Sequence, residues 1–480
     1  MGSQKPYDRA LQALGYLALL GSLGAALHDA SLAFDSWYYH LPFAARLAGV
    51  IPAESYAFHK ANQARFDGFA LFAELCQGWL WKLTGRPESA NLVAFSSVPL
   101  VAWFLRRRWN VPFPLTCLAL LAVPLIQTHA PSCYVDLPGN AAASVLVLLV
   151  IDAYASASPV RPSDVALALV TGAIAANIKP LLQPVVGLSL LAVLVRPLST
   201  KSSPLAQRRA RLLAMAMVLG SPLVLFTPLK NTLVHGNPFY PIGTRILGVS
   251  LPGPEEPYAS SPPWLAHVPR PARFVASLLE MGGRPLSDPH RWTVDQWMPD
   301  ERGGNRMGGF FSVYVVVLVI ALVARVARDR SRLTRVSAIV FACFTALIAC
   351  MPQSHELRYY LSWMIVLVGL NLGLACRGEH AKGTASLGLL ATVAALSYAV
   401  VVLSTRGVYA FPRGMTVKEL VASRVNDKVL DGVKDGERVC VRKEPFNLLW
   451  APELHPPRRY AVQEAEEASD CGGTAEVGGH

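Results

Sequence analysis

The stretch FDGFALFAELCQGWLWKL, Phe66 to Leu83, decides how the chain is threaded through a membrane. It is apolar enough to pass for a spanning helix, yet Asp67, Glu74 and Lys82 interrupt it. Counted as a span, it sends the RRRW cluster (Arg106–Trp109) outside and inverts everything downstream. Read instead as an amphipathic helix lying in the interface, with Trp79 and Trp81 at headgroup depth, it leaves the topology self-consistent. RRRW, RPLSTKSSPLAQRRAR (Arg196–Arg211), RVARDRSRLTR (Arg325–Arg335) and CRGEHAKG (Cys376–Gly383) then all face the cytoplasm. That is where short loops rich in Lys and Arg stay, and Lys5 and Arg9 place the amino terminus there too.

The rest of the chain agrees with a membrane setting. Of 480 residues, 52% are hydrophobic and only 16% charged, where a soluble domain carries about 25% charged residues. Mean hydropathy is +0.35. The apolar blocks supply about eleven spans of the roughly 20 residues a bilayer needs. They lie near 10–29, 90–106, 111–128, 140–156, 163–178, 181–195, 211–227, 309–326, 334–351, 358–375 and 384–404. The fold class is therefore an all-α polytopic membrane protein. The first block has the basic flank of a signal peptide, but no small-residue cleavage site closes it, so it reads as an anchor. The net charge of +12 sits largely in the short clusters. No separate basic domain is left to hold nucleic acid.

Residues 1–404 form the transmembrane module, with a first outer loop over about 30–89 and a long one over about 228–308. Residues 405–480 form a small periplasmic carboxy-terminal domain. Its alternating runs, such as ERVCVRK, and its turns at KDGE and HPPR fit an α/β or β-rich cap. Cys440 and Cys471 both lie in this domain, where they could pair or stand apart by chance. The end of the chain, DCGGTAEVGGH, reads as disordered. The other cysteines lack metal-type spacing.

Ionisable groups in a chain this apolar are costly and mark function. They gather at the outer edges of the helices: Asp35, Tyr39 and His40 in the first loop, His59 further along it, and Asp136 in the second. Lys179 sits in IKPLLQP, Lys230 in LKNTLVHGNPFYPIG, and His355, Glu356 and Arg358 in SHELRYYL. The middles of the helices are nearly free of charge. Such a pattern suits a substrate whose reactive group lies at the headgroup layer. Cations there would hold a phosphate on a buried tail, and a carboxylate would take a proton from a nucleophile.

Five motifs in order, FDSWYYHLPFAARLAG (Phe34–Gly49), CYVDLPGNAA (Cys133–Ala142), IKPLLQP, LKNTLVHGNPFYPIG and SHELRYYL, resemble a bacterial integral-membrane glycosyltransferase of the GT-C fold. The likeness covers about the first 375 residues. It is greatest to the polyprenyl-phosphate-sugar transferases of the protein O-mannosyltransferase and lipid A aminoarabinose transferase type. The resemblance implies that Asp35 is the general base, that an acceptor hydroxyl attacks the anomeric carbon with inversion, and that polyprenyl phosphate leaves. Asp136 matches a second acid and would orient the acceptor or Arg358. Arg358, Lys179 and Lys230 would hold the donor phosphate, and His40, Tyr39, His355, Glu356 and His59 would contact substrate. The acceptor would be a glycan, lipid or polysaccharide, the site periplasmic, and the compartment the bacterial inner membrane among its lipids.

Relatives carry paired acids at the first-loop site, whereas Ser36 follows Asp35 here. The expected reaction needs no metal and no cofactor. Each group also has a plainer reading: Asp35 and Asp136 as helix caps, Lys179 snorkelling from a helix end, Arg358 in an ion pair, Trp37 and Tyr38 as interfacial belt anchors. A transporter or flippase of lipid-linked glycans is the competing class. It would place ionisable groups at the bilayer midplane on broken helices of repeated halves, and the sequence shows neither.

Overall fold

A computed structural model describes residues 6–156, 158–198, 204–246, 248–257, 261–288, 291–292, 307–377, 383–442, 445–465, 471 and 475–477. The chain opens with α1 (Pro6–His28) and then enters a loop that carries α2 (Leu41–Leu47), α3 (Lys60–Gly68) and α4 (Phe72–Thr84). A bundle follows: α5 (Leu92–Trp109), α6 (Phe113–Leu121), α7 (Pro124–His129), α8 (Asp136–Ala155), α9 (Pro162–Ile178), α10 (Gln183–Leu198), α11 (Pro204–Val224) and α12 (Phe226–His235). After the long loop with α13 (Arg270–Leu278) come α14 (Ser312–Arg328), α15 (Arg332–Cys350), α16 (Leu361–Arg377) and α17 (Gly383–Ser404). The tail adds α18 (Val417–Arg424) and α19 (Asp427–Asp431).

Helices stand at all eleven expected positions, but fewer qualify as full spans. Among the described residues seven are long and apolar enough to cross a membrane, or eight if the α11–α12 pair, bent by 54°, counts as one. The run at 111–128 is broken, because Pro124 turns Val123 away from helical geometry and splits it into α6 and α7. The helices α9 and α14 have 17 residues each. At the α11–α12 bend the freed backbone is satisfied by Asn177. Its Nδ2 donates to the Leu223 carbonyl at 2.8 Å, and its Oδ1 accepts from Thr227 N at 3.0 Å.

The bundle is sorted by burial. Helices α8 and α16 run through its centre and are almost wholly covered. Helices α10, α11 and α17 present exposed apolar rows, such as Leu212, Met215, Leu219 and Leu223 on α11. An apolar row facing outward is what lipid contact requires. The first helix is part of the bundle: the backbone of Gly15 lies so close to the Pro114 carbonyl on α6 that a side-chain carbon would collide.

Phe66–Leu83 is not among the described helices long and apolar enough to span, and its second part is amphipathic as expected, though the stretch forms two helices rather than one. It breaks after Gly68 and resumes as α4, whose 13 residues cover about 20 Å at 1.5 Å each. Glu74, Gln77 and Trp81 point inward, and Leu75, Trp79 and Leu83 outward. Only Trp79 keeps the exposure expected of both tryptophans. Trp37 likewise is not a belt anchor: it is 1% exposed and packs near Phe446 of the tail, ring centroids 5.9 Å apart.

The tail and the first loop share a core. Trp37, Leu41, Phe43, Ile51, Tyr56 and Trp81 pack with Val417, Leu420, Val439, Leu448, Trp450 and Val462. They also share a parallel sheet in the order β1 (Tyr56–Ala57), β5 (Ala461–Ala465), β4 (Arg438–Arg442), β6 (Ala475–Val477). A separate antiparallel pair, β2 (Thr244–Ile246) and β3 (Val249–Leu251), lies in the long loop. Cys440 and Cys471 form a disulfide. Strand β6 lies within the terminal stretch expected to be disordered; the remaining residues of that stretch, apart from Cys471, lie outside the described residues.

Candidate functional site

Asp35 stands just before a π-helical turn, Ser36–His40, that leads into α2. The turn is pinned from within. The Trp37 indole donates to the Ser31 carbonyl, and the His40 imidazole pairs with the Glu74 carboxylate at 2.8 Å, both side chains buried. The acid that interrupts the apolar run at Phe66–Leu83 is thus the partner that holds His40. Asp35 makes no side-chain cap to its own turn. Its carboxylate, 15% exposed, reaches Arg358, with Nη1 donating to Oδ2 at 3.1 Å.

Arg358 lies in a 3₁₀ turn, Leu357–Tyr360, at the head of α16 and is 3% exposed. Its Nη2 donates to the Tyr359 hydroxyl at 3.0 Å, and its Nε lies 3.5 Å from the Glu356 carboxylate. The guanidinium also sits over the rings of Tyr359 and Tyr134, 4.8 and 5.7 Å from their centroids. At the break between α9 and α10, Lys179 pairs with Asp136, the first residue of α8. Its ammonium lies 3.9 Å from the Tyr359 ring centroid. Tyr359 therefore stands between two cations, its π face turned to both.

These positions follow from how α8 and α16 are locked together. Asn140 Oδ1 accepts from Ser362 N at 2.9 Å, while its Nδ2 donates to the Asp136 carbonyl at 2.8 Å. The Ser144 hydroxyl donates to the Asn140 and Ser362 carbonyls at 2.7 and 3.3 Å. This ladder brings the start of α8 beside the start of α16, so Asp136 and Arg358 occupy one end of the bundle. The negative charge of Asp136 also suits a helix amino terminus.

The structure thus gathers Asp35, Asp136, Arg358, Lys179, Glu356 and Tyr39. The Tyr39 phenol titrates well above its ordinary range, first through burial and then through the Asp35 carboxylate. His40 lies behind this group, its ring 4.3 Å from that of Tyr39 and 5.8 Å from that of Tyr134. Two other expected residues, His59 and Lys230, have side chains engaged elsewhere, whereas the contact of His355 is one of its backbone carbonyl. His59 caps α3, accepting from Ala61 N at 3.2 Å. The His355 carbonyl accepts from Ser277 at 2.5 Å, beneath α13. Lys230 donates to the Asp67 carbonyl at 2.5 Å and, among the described residues, does not touch Arg358 or Lys179.

Tyr359, Tyr134 and Glu74 were not expected in the site. The two tyrosines stand inside SHELRYYL and CYVDLPGN, so the signal was present in the motifs; that they stack on cations is a matter of packing. Chemically, the group offers a partly exposed carboxylate and two cations held by aromatic rings at one end of the bundle. It can remove a proton and receive an anion side by side.

No protein-family model matches the sequence, and no curated protein matches it. Solved structures do. ArnT from Cupriavidus metallidurans bound to undecaprenyl phosphate is 12% identical, with a TM-score of 0.54, over 97% of this chain and 87% of that one. The apo state of the same protein is 11% identical, with a TM-score of 0.50, over 96% and 86%. ArnT, an aminoarabinose transferase, has the GT-C fold of membrane glycosyltransferases, and the present chain has that fold.

Proposed function

We propose that the protein is a membrane glycosyltransferase that takes a sugar from a polyprenyl-phosphate donor and places it, with inversion, on an acceptor hydroxyl. One observation carries this reading: Asp35 and Arg358, 323 residues apart in sequence, meet at 3.1 Å. The acceptor's O–H proton passes to the Asp35 carboxylate as its oxygen bonds to the anomeric carbon. The bond from that carbon to the phosphate oxygen breaks, and its electron pair leaves with the polyprenyl phosphate. Arg358 and Lys179 stabilise the charge that develops there. Without donor, Arg358 neutralises Asp35. A phosphate arriving on the guanidinium takes that partner away and leaves the carboxylate to accept a proton. Donor binding thereby readies the base. Asp136 holds Lys179 in place.

The ArnT structure with undecaprenyl phosphate supports a donor of this chemistry. The Cys440–Cys471 disulfide and the basic clusters at the opposite helix ends support a site on the periplasmic side of a bacterial inner membrane. Acceptors that fit are glycans, lipids or polysaccharides bearing a free hydroxyl. The test is purified protein in lipid vesicles with a panel of polyprenyl-phosphate sugars, reading which donor is consumed. Consumption of one donor, lost in Asp35→Asn, is the expected result. Consumption that persists in Asp35→Asn removes the residue from its role, and no consumption of any donor removes the reading.

A further inference from the structure

Glu464 on β5 is a carboxylate of the tail, 3% exposed, that reaches into the first loop at three points. It accepts from the Tyr56 hydroxyl at 2.6 Å, from the His59 backbone N–H at 3.2 Å and from Asn62 Nδ2 at 3.2 Å. The same Asn62 amide nitrogen donates to the Tyr38 carbonyl, also at 3.2 Å. An amide has two N–H bonds, so one goes to Glu464 and the other to Tyr38. Tyr38 lies inside the π-helical turn that carries Asp35 at its head and Tyr39 within it. Asn62 has no exposed surface, and so has no water to replace either bond. Among the described residues the turn is also tied to distant segments by the His40–Glu74 pair and, at its head, by the Asp35–Arg358 pair. Trp37, two residues past Asp35, packs against the tail as well.

We propose that Glu464 is a positioning residue for Asp35: through Asn62 it fixes the turn that aims the base, so the tail is a working part of the site. This rests on the glycosyltransferase reading above. A carboxylate suits the task because it accepts all three donors at once, and each such charge-assisted bond is stronger than a neutral one. Removing it takes this acceptor from the Tyr56 hydroxyl, the His59 N–H and one of the two Asn62 N–H bonds, all buried. Asn62 then keeps only its bond to Tyr38 and loses the anchor that orients its amide, so the turn is held less firmly.

The experiment uses the full-length protein in vesicles. Glu464→Ala is expected to lower kcat roughly 10- to 100-fold, the scale of a misplaced catalytic group, while KM for the donor changes little, because Arg358 and Lys179 are untouched. Glu464→Gln is expected to recover most of the rate. Its oxygen still accepts from His59 and Asn62, and its NH₂ can donate to the Tyr56 oxygen. Hydrogen exchange at the amides of Ser36–Leu41 should rise in Glu464→Ala and in Asn62→Leu, and stay at wild-type level in Glu464→Gln. Unchanged kcat and unchanged exchange in Glu464→Ala overturn the proposal. So does a lower melting temperature with raised exchange everywhere, which marks a merely structural residue. If the wild-type protein transfers no sugar, the glycosyltransferase reading fails, and the exchange measurement alone still decides whether Glu464 holds the turn.

Discussion

Asp35 and Arg358 are each other's partners in the structure, and that makes their substitutions unequal. Asp35→Asn keeps the shape and a hydrogen bond to the guanidinium, with Glu356 still 3.5 Å from Arg358 Nε. Turnover should fall by roughly 10²- to 10⁴-fold, the contribution of a general base, with the melting temperature in detergent nearly unchanged. Arg358→Ala takes the guanidinium away from both Asp35 and Glu356, and breaking such a buried pair destabilises by about 3–5 kcal/mol. Both turnover and melting temperature should drop. Arg358→Lys separates the two effects: it restores the charge but not the fork that meets Asp35 and Tyr359 together. Stability should return further than donor affinity. Asp136 and Lys179 act as one unit, so Asp136→Asn combined with Lys179→Met should impair turnover by less than the sum of the two changes. That these charges gather in one place was legible in the sequence, because ionisable groups are rare in an apolar chain. His59, His355 and Lys230 are of the same residue types. The side-chain partners of His59 and Lys230, Ala61 N and the Asp67 carbonyl, are set by contacts that no motif announces.

At the scale of elements, α4 is the brace of the site. Its Glu74 holds His40, its Gln77 donates to the Cys133 carbonyl at 2.8 Å, and its Lys82 donates to the Ala48 carbonyl at 2.9 Å. The helix can approach α2 so closely because residue 78 is glycine: an added side-chain carbon would strike the Ala44 carbonyl. Gly78→Ala should therefore push the helices apart, at about 1–3 kcal/mol of stability for overpacking, and loosen the His40–Glu74 pair. Thermal unfolding and turnover should fall together. Another brace lies in the long loop. Glu280 accepts from the backbone N–H groups of Gly309, at 2.9 Å, and Phe311, at 3.2 Å, at the head of α14, and from the Trp292 indole at 2.9 Å. Charge interruptions showed that Phe66–Leu83 is not a span. Which of its faces turns inward was not legible, since Glu74 looks like a solvent residue until His40 is seen opposite it.

For the molecule as a whole, the sequence read plainly as a polytopic helical protein, because long apolar blocks leave little else. Shortened and broken helices were harder to read, since only packing shows where an apolar run bends. Least legible was the union of tail and first loop: Tyr56–Ala57 is a two-residue strand with no pattern of its own, defined only by Val462 and Gln463 beside it. That union also gives the molecule a pH response. Burial raises the Glu464 pKa above its usual 4.5, opposed by Tyr56, the His59 N–H, Asn62 and Arg46. The folded state then holds a proton that the unfolded chain releases, so this group's contribution is greatest below the unfolded value and is lost as pH rises through the folded one. Melting temperature of the wild type minus that of Glu464→Gln should shrink as pH rises across that interval.

The parallel sheet also imposes an order of events. Tyr56 and Glu464 are 408 residues apart, and at 5–20 residues per second a ribosome needs roughly 20–80 s to travel between them. Throughout that interval the nascent first loop lacks the tail residues that complete its core, such as Phe446 against Trp37. Biogenesis of this protein therefore includes an extended stage at which it depends on whatever shields a half-made chain, and a chain cut short before Ala461 lacks the strand that pairs with the first loop.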